Sequence, residues 1–406
     1  MGYKKKTIEG LSWIGLLRGT TRVVMILRTA YLARILNPAQ FGFFGIATLV
    51  LAFLEILTET GINIFLIQEK KDVKDYLNAA WVISIIRGVL LMVAILVLTP
   101  LILLFFKSPE ALPLILFISL VPLIRGFINP AIVTFQKELY FKKEFYLRLA
   151  IYLIDSLVVV LVAATTKSAM SFVWGLVIGA LCEVILSFVF IKPRPRLAFE
   201  IPKIKHIVGR GKWVTLIGIF SYIAQEGDNV VVGRILGASP LGIYQMAYKF
   251  STLPLSEITD VANKVVFPVY AKIADSKERL LKAFIKIFSI STALALIFGM
   301  LLYILADPIV HLLLGDKWLS VIPIIKVLSF YGVLRAIFGT FSPVFLAVGK
   351  QDFVARMTFI RVVTLLLSIF PLIATFGLIG AGYAAILSII AEIPIVLYFS
   401  YRIFRT

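Results

Sequence analysis

Residues 88–106, GVLLMVAILVLTPLILLFF, run without one charged side chain. An uncharged apolar run of about 18 residues or more is long enough to cross a bilayer as a helix. In hydrocarbon every backbone N–H and C=O needs an internal partner, so a spanning segment is either a helix or a strand of a closed barrel. Comparable runs recur along nearly the whole chain of 406 residues. Only 16% of the residues are charged, against about 25% in a soluble protein. No long polar region remains for a soluble domain, so the sequence describes an all-α polytopic membrane protein.

The start, MGYKKKTIEGLSWIGLL, has the basic and then apolar order of a signal peptide but no small-residue cleavage site. It reads as a retained first span. The one cysteine, Cys182, falls inside a predicted span, which excludes disulfides.

Periodicity and punctuation place about twelve transmembrane helices, at 10–36, 41–67, 79–106, 111–135, 148–165, 169–191, 213–236, 241–268, 283–305, 319–348, 355–376 and 378–401. Of the 41 Lys and Arg, 26 lie in the two termini and the even-numbered connections, counting the span mouths, and 3 lie in the opposite connections. The positive-inside rule then puts both termini on the cytoplasmic side of the membrane. A net charge of +19 is therefore mostly topological, and nucleic acid is not implied as a partner.

Twelve basic residues remain within the spans. Four of them, Arg18, Arg22, Arg28 and Arg34, sit in LRGTTRVVMILRTAYLARIL (17–36), which contains no acidic residue. An arginine at mid-bilayer costs about 2.5–3.5 kcal/mol on insertion scales, so each needs protein or water around it. On a helical wheel Arg18, Thr21, Arg22, Met25, Arg28 and Thr29 share one arc, with Ile, Leu and Val opposite. The irregular spacing does not fit a voltage sensor. Glu55 and Glu59 read as one turn apart on the second span, as counter-charges for Arg18 and Arg22. With Arg87 and Arg125, the N-terminal half still has an excess of base, the makings of an anion-attracting cavity. The C-terminal half carries Glu226, Asp228, Glu257 and Asp260. These are either proton or sodium coupling sites or part of a structural network with Lys249, Lys326 and Arg335.

The chain also repeats. Trp13, Leu16, Arg34, Gly42 and Ala47 recur 200 residues later as Trp213, Leu216, Arg234, Gly242 and Ala247. Pro130, Lys137 and Arg148 match Pro343, Lys350 and Arg361 at an offset of 213, and Glu183 matches Glu392 at 209. Six spans return the chain to its starting side. The sequence thus predicts two parallel six-helix lobes, 1–191 and 213–406, related by a pseudo-two-fold axis along the membrane normal, with a basic cytoplasmic linker, 192–212, between them. In the linker, Phe199, Ile201, Ile204 and Ile207 have the spacing of a short interfacial helix, with a solvated connection as the alternative. There is no phosphate-binding P-loop, no zinc-ligand set and no nucleophilic triad, so no enzyme and no cofactor is expected, beyond coupling H⁺ or Na⁺.

Several stretches then become familiar. ARILNPAQFGFFGIATLV (33–50), LIRGFINPAIVTFQKELYFKKEFYLR (123–148), FPVYAKIAD (267–275) and GDKWLSVIPIIKVLSFYGVLRAIFGTFSPVFLAVGKQD (315–352) resemble the polysaccharide transport proteins of Wzx type. These belong to the multidrug/oligosaccharidyl-lipid/polysaccharide (MOP) exporter superfamily. The resemblance covers essentially the whole chain and implies a V-shaped, MATE-like fold and flipping of undecaprenyl-pyrophosphate-linked oligosaccharide for surface polysaccharide such as O antigen. By analogy with lipid II flippases, Arg18 and Arg22 would face the pyrophosphate, with Arg28 a weaker candidate and Arg87 and Arg125 extending the basic surface. Partners would be the lipid-linked glycan, membrane lipids and polysaccharide polymerase machinery, with the chain a monomer. A cation-coupled multidrug exporter and a non-transporting assembly scaffold remain as alternatives.

The orientation is testable on a Cys182→Ala background. A cysteine replacing Glu110 should react with a membrane-impermeant maleimide in intact cells, and one replacing Arg196 only after the membrane is opened. The reverse pattern would invert the topology.

Overall fold

The computed structural model describes residues 3–59, 61–68 and 73–405. Side chains 3–9, 11, 64, 68, 73, 205–206, 208–217, 253–254, 256–265 and 405 lie outside the described set. Every regular element among the described residues is helical. Twelve segments have the length of a membrane crossing. In the first half they are α1 (Tyr3–Ile35), α2 (Pro38–Leu57), α3 (Leu77–Phe106), α4 (Pro109–Gly126), α5 (Phe141–Thr166) and α6 (Met170–Phe190). The second half has α7 (Ile201–Leu236), α8 (Ala238–Ile273), α9 (Lys277–Ile304), α10 (Asp316–Ala347), α11 (Gln351–Phe376) and α12 (Leu378–Arg405). Among the described residues, nine of these are long and apolar enough to span by composition; α1, α7 and α8 add 33, 36 and 36 residues.

The two series match element by element. The fourth member of each begins with a 3-10 turn and is broken, at Ser119 in α4 and at Thr340 in α10. The fifth member of each, α5 and α11, has 26 residues and ends on a left-handed residue, Lys167 (φ 49) or Gly377 (φ 58).

Local chemistry explains several boundaries. At the start of α2, the Asn37 side chain accepts from the Gln40 N–H at 3.0 Å and the Gln40 side chain accepts from the Asn37 N–H at 3.0 Å. This reciprocal cap, with Pro38 at the first helical position, satisfies donors that a helix start leaves open. The Gln40 amide then donates to the Lys167 carbonyl at 2.9 Å, tying the cap to the end of α5. The NPAQ stretch thus has a folding role.

Besides the tenth, expected unbroken over 319–348 and broken at Thr340, two expected spans are interrupted. The second was expected to run unbroken over 41–67, but α2 ends at Leu57 and a separate helix, Ile62–Gln68, follows. Gly61 takes φ 64 and the Glu59 carboxylate accepts its N–H at 3.0 Å, so Glu59 caps a turn. Glu55 and Glu59 therefore do not share a helical face. The fourth span was expected over 111–135, but its helix stops at Gly126. Asn129 and Pro130 follow, and a proline cannot supply the next helical donor. The fully buried Asn129 side chain accepts from Ala131 N–H at 3.0 Å and donates to the carbonyls of Ile191 and Pro193 at 3.3 and 3.0 Å. Its own N–H donates to Ser187 Oγ at 3.1 Å.

The chain divides into two compact units, Met1–Tyr222 and Ile223–Thr406, with the division inside α7. Within the first unit, Ile207 joins an apolar core with Phe65, Leu66, Leu77 and Ile83. The preceding stretch is pinned to the same unit. Arg196 N–H donates to Asn78 Oδ1 at 2.8 Å, and Lys203 donates to the Asp75 carbonyl and pairs with Glu200. The Lys203 hydrogen bond, with help from Asn78, holds the Glu200 carboxyl below its ordinary range. Leu197, Phe199 and Ile201 remain exposed beside Arg194 and Arg196.

Helices approach closely where side chains vanish, as expected where packing rather than solvent expulsion holds helices together. A Cβ on Gly88 of α3 would lie 2.5 Å from the Pro122 carbonyl oxygen of α4, and one on Gly126 would lie 2.8 Å from that of Ser84. Backbone cannot yield as a side chain can. Gly88→Ala and Gly126→Ala should therefore each destabilise the protein by about 1–3 kcal/mol, read as a lower unfolding temperature in detergent. Gly15→Ala, which meets nothing within 4 Å, serves as the neutral control.

Candidate functional site

Chain breaks after α2 and in α4 open a space in the N-terminal unit that a continuous helix would fill. The resulting cavity, about 330 Å³, is lined by Glu55, Glu59, Arg87, Arg125, Arg148 and Glu183 among others. Three arginines meet three glutamates, so this lining is charge-balanced. The excess of base expected for the N-terminal half does not appear here. Glu183 and Arg148, which sequence reasoning set aside as site residues, both belong to it. Their one signal was the repeat, which pairs them with Glu392 and Arg361.

The arginines differ in how firmly they are held. Arg87 Nη2 donates to the Glu55 backbone carbonyl at 2.6 Å and lies 3.4 Å from Glu59 Oε2, while Nε donates to Thr58 Oγ1 at 3.1 Å. A cation on the last turn of a helix meets its unsatisfied carbonyls and the negative end of its dipole. Arg87 thus fastens α3 to the end of α2. Arg125 is exposed and stands between two carboxylates at longer range, 3.8 Å from Glu55 and 3.9 Å from Glu183. A direct charge-assisted hydrogen bond would be about 2.7–2.9 Å. Arg125 therefore keeps donors facing the cavity.

Arg28 lies elsewhere. Its Nη1 donates to Asp155 Oδ2 at 2.6 Å, and its guanidinium sits 5.6 Å from the Tyr152 ring centre. These contacts lock α1 to α5, with Gly175 and Gly179 of α6 leaving room for Asp155. Arg18 lines a second space in this unit, about 430 Å³, with Trp13, Phe141, Phe145, Glu144 and Arg148. Arg148 borders both spaces, and its Nε donates to Glu144 Oε1 at 2.7 Å. Arg18 and Arg22 are both engaged by neighbouring groups.

In the C-terminal unit, Asp228 is buried and accepts from the Tyr244 hydroxyl at 2.9 Å and from Asn229 N–H at 2.8 Å. Glu226 accepts from the Asn229 amide at 2.8 Å. These donors are neutral. Of Lys249, Lys326 and Arg335, the counter-charges expected from sequence, Lys326 pairs with Asp307 at 2.7 Å, Arg335 donates to Tyr248 at 2.7 Å and acts on Asp228 through its charge at longer range, and Lys249 is engaged by neighbouring groups. The side chains of Glu257 and Asp260 lie outside the described residues.

Comparison with known proteins adds the family context. A family model described as "Polysaccharide biosynthesis protein" matches residues 31–323. The chain is 29% identical, over 94% of its length and 79% of the relative's, to an uncharacterized membrane protein in the cps region of Klebsiella pneumoniae. It is 27% identical to the lipopolysaccharide biosynthesis protein WzxC of Escherichia coli K12, over 87% of this chain and 72% of that one. Among solved structures, an inward closed conformation of the lipid II flippase MurJ superposes with TM-score 0.77 at 17% identity, covering 96% and 87% of the two chains. An inward-facing multidrug MATE transporter of the MOP superfamily gives 0.72 at 16%, covering 94% of each.

The Arg28–Asp155 contact makes a sharp stability prediction. Removing one member of this part-buried pair leaves the other charge without its partner, so Arg28→Ala should cost about 1–3 kcal/mol. The Arg28→Ala/Asp155→Ala double variant should be more stable than Arg28→Ala alone. Additive losses in a thermal-unfolding cycle would show that the two groups do not act together.

Proposed function

We propose, because the chain belongs to the polysaccharide biosynthesis protein family, that it carries undecaprenyl-pyrophosphate-linked oligosaccharide from the cytoplasmic to the outer leaflet. It is a multi-pass membrane transporter of flippase type and not an enzyme. In this reading both termini are cytoplasmic, the residues 1–191 and 213–406 act as moving lobes, and access alternates by rocking them about the substrate.

The observation that carries the reading is the polar, charge-balanced lining around Arg125. Sugars present rows of hydroxyls that both donate and accept. Alternating guanidinium and carboxylate groups meet them from both sides, and Glu55, Arg125 and Glu183 stand in that order. An amphipathic drug cation would be better served by aromatic or purely acidic walls. For the pyrophosphate, Arg18 and Arg22 remain the candidates, with Arg148 beside Arg18. Arg28 and Arg87 take structural parts. Gradient coupling through Glu226 and Asp228 would use carboxylates held only by neutral donors in their described contacts.

Flipping in proteoliposomes, followed with a short undecaprenyl-pyrophosphate oligosaccharide and a leaflet-specific enzyme, tests this directly. Arg18→Ala/Arg22→Ala should lower the rate at least tenfold, since hydrogen bonds to a charged group contribute about 1.5–3 kcal/mol each. Arg125→Ala should lower it with stability within about 0.5 kcal/mol of the parent. Ion-driven export of a drug cation by the same vesicles, without glycan movement, would replace this reading with the multidrug one.

A further inference from the structure

The C-terminal unit holds a smaller cavity, about 170 Å³, that the flippase reading does not use. Its polar lining is Arg335, Ser342, Arg361 and Glu392, and Phe338 and Ile389 complete it. The break at Thr340 in α10 brings Arg335, before it, and Ser342, after it, to one wall.

The charges do not balance here. Arg335 Nη1 donates to the hydroxyls of Tyr248 at 2.7 Å and Tyr331 at 3.4 Å, contacts that orient the guanidinium without neutralising it. Arg361 Nη1 stands 3.6 Å from Glu392 Oε2, with only 7% of the glutamate side chain exposed. Guanidinium groups do not lose their protons in proteins. Two permanent cations therefore line a cavity that holds one carboxylate, although Arg335 also acts at longer range on Asp228, and the Arg361–Glu392 pair is longer than a direct charge-assisted bond of about 2.7–2.9 Å.

The arrangement also has a counterpart in the same chain. Arg361 and Glu392 are the repeat partners of Arg148 and Glu183, which line the N-terminal cavity. Arg335, like Arg125, sits on the broken fourth helix of its series, ahead of the repeat-matched prolines Pro343 and Pro130. In each half, two arginines and a glutamate from the fourth, fifth and sixth helices surround one cavity. The N-terminal copy also carries Arg87, Glu55 and Glu59 and is neutral. The C-terminal copy keeps a net positive charge.

We infer that Arg335, Arg361 and Glu392 form an oxyanion site for a single carboxylate or phosphate group, in which Glu392 competes with the ligand for Arg361. At about 170 Å³ the cavity matches one small anionic group. Such a group reaches the membrane either as a phosphate or as the carboxylate of an acidic sugar. The site is independent of the flippase reading, because it concerns small-anion binding within the C-terminal unit and no transport.

The test uses the full chain in nanodiscs at constant ionic strength, titrated calorimetrically with inorganic phosphate and, separately, with glucuronate. Saturable binding of one probe is expected, and its identity distinguishes the two sources. Glu392→Gln should tighten that binding about tenfold, because the internal competitor loses its charge. Arg361→Gln and Arg335→Gln should weaken it at least tenfold, with Arg361→Lys in between as a check on variants that fold poorly. A merely structural Arg361–Glu392 pair predicts a less stable Glu392→Gln with no gain in anion affinity, and that result would overturn the proposal. So would absence of saturable binding to both the parent and Glu392→Gln, or binding lost in Arg148→Gln and retained in Arg361→Gln.

Discussion

A charge inside a membrane bundle must be answered, and the organisation of this chain follows from how each one is. Arg28 meets Asp155 at 2.6 Å and thereby sets α1 against α5. Arg87 meets the carbonyl end of α2 and fixes where that helix stops relative to α3. In hydrocarbon, helices gain little from burying apolar surface against each other, since lipid is as apolar as leucine. Polar clamps and glycine contacts such as Gly88 against Pro122 do the selecting instead. Once the clamps are set, Arg125 and Arg361 are held to their carboxylates only at longer range.

That distinction separates residues of one type into different parts. Tightly bonded Arg28 and Arg87 belong to the scaffold. Arg125 and Arg361 stand more than 3.5 Å from their carboxylates and are partly accessible. Long pairs of this kind are weak clamps and ready exchange partners, because a ligand group can replace a carboxylate without stranding either charge. The broken helices supply the room. Where α4 ends at Gly126 and α10 breaks at Thr340, arginines line the space beside the interruption.

Much of this was legible in the sequence. The all-helical class followed from runs such as 88–106. The repeat pairs Arg148 with Arg361 and Glu183 with Glu392, and each pair lines a cavity. Interruptions were harder to read. Hydropathy dips at Thr58–Gly61, but a polar helical turn inside a span dips in the same way, and it is the positive φ of Gly61 that reveals the break. Partner choice was hardest. A helical wheel gives the face of a side chain and not the helix it meets, so Glu55 and Glu59 were matched to α1, while their nearest described arginines, Arg125 and Arg87, come from α4 and α3. Arg28 and Asp155 lie 127 residues apart, and no local pattern joins them.

A balanced lining also bears on turnover. A carrier that holds its cargo strongly cannot release it, and a wall of bare arginines would bind a diphosphate too well to let it go. Carboxylates beside each guanidinium lower that affinity while preserving the donor geometry, because they re-occupy the arginine as the cargo leaves. Glu55 and Glu183 on either side of Arg125 have that disposition, and Glu144 against Arg148 has it more tightly. Under the flippase reading, the glutamates are therefore as much a part of the transport surface as the arginines. Removing one would be expected to strengthen binding and slow release, a change of opposite sign to the loss of its arginine.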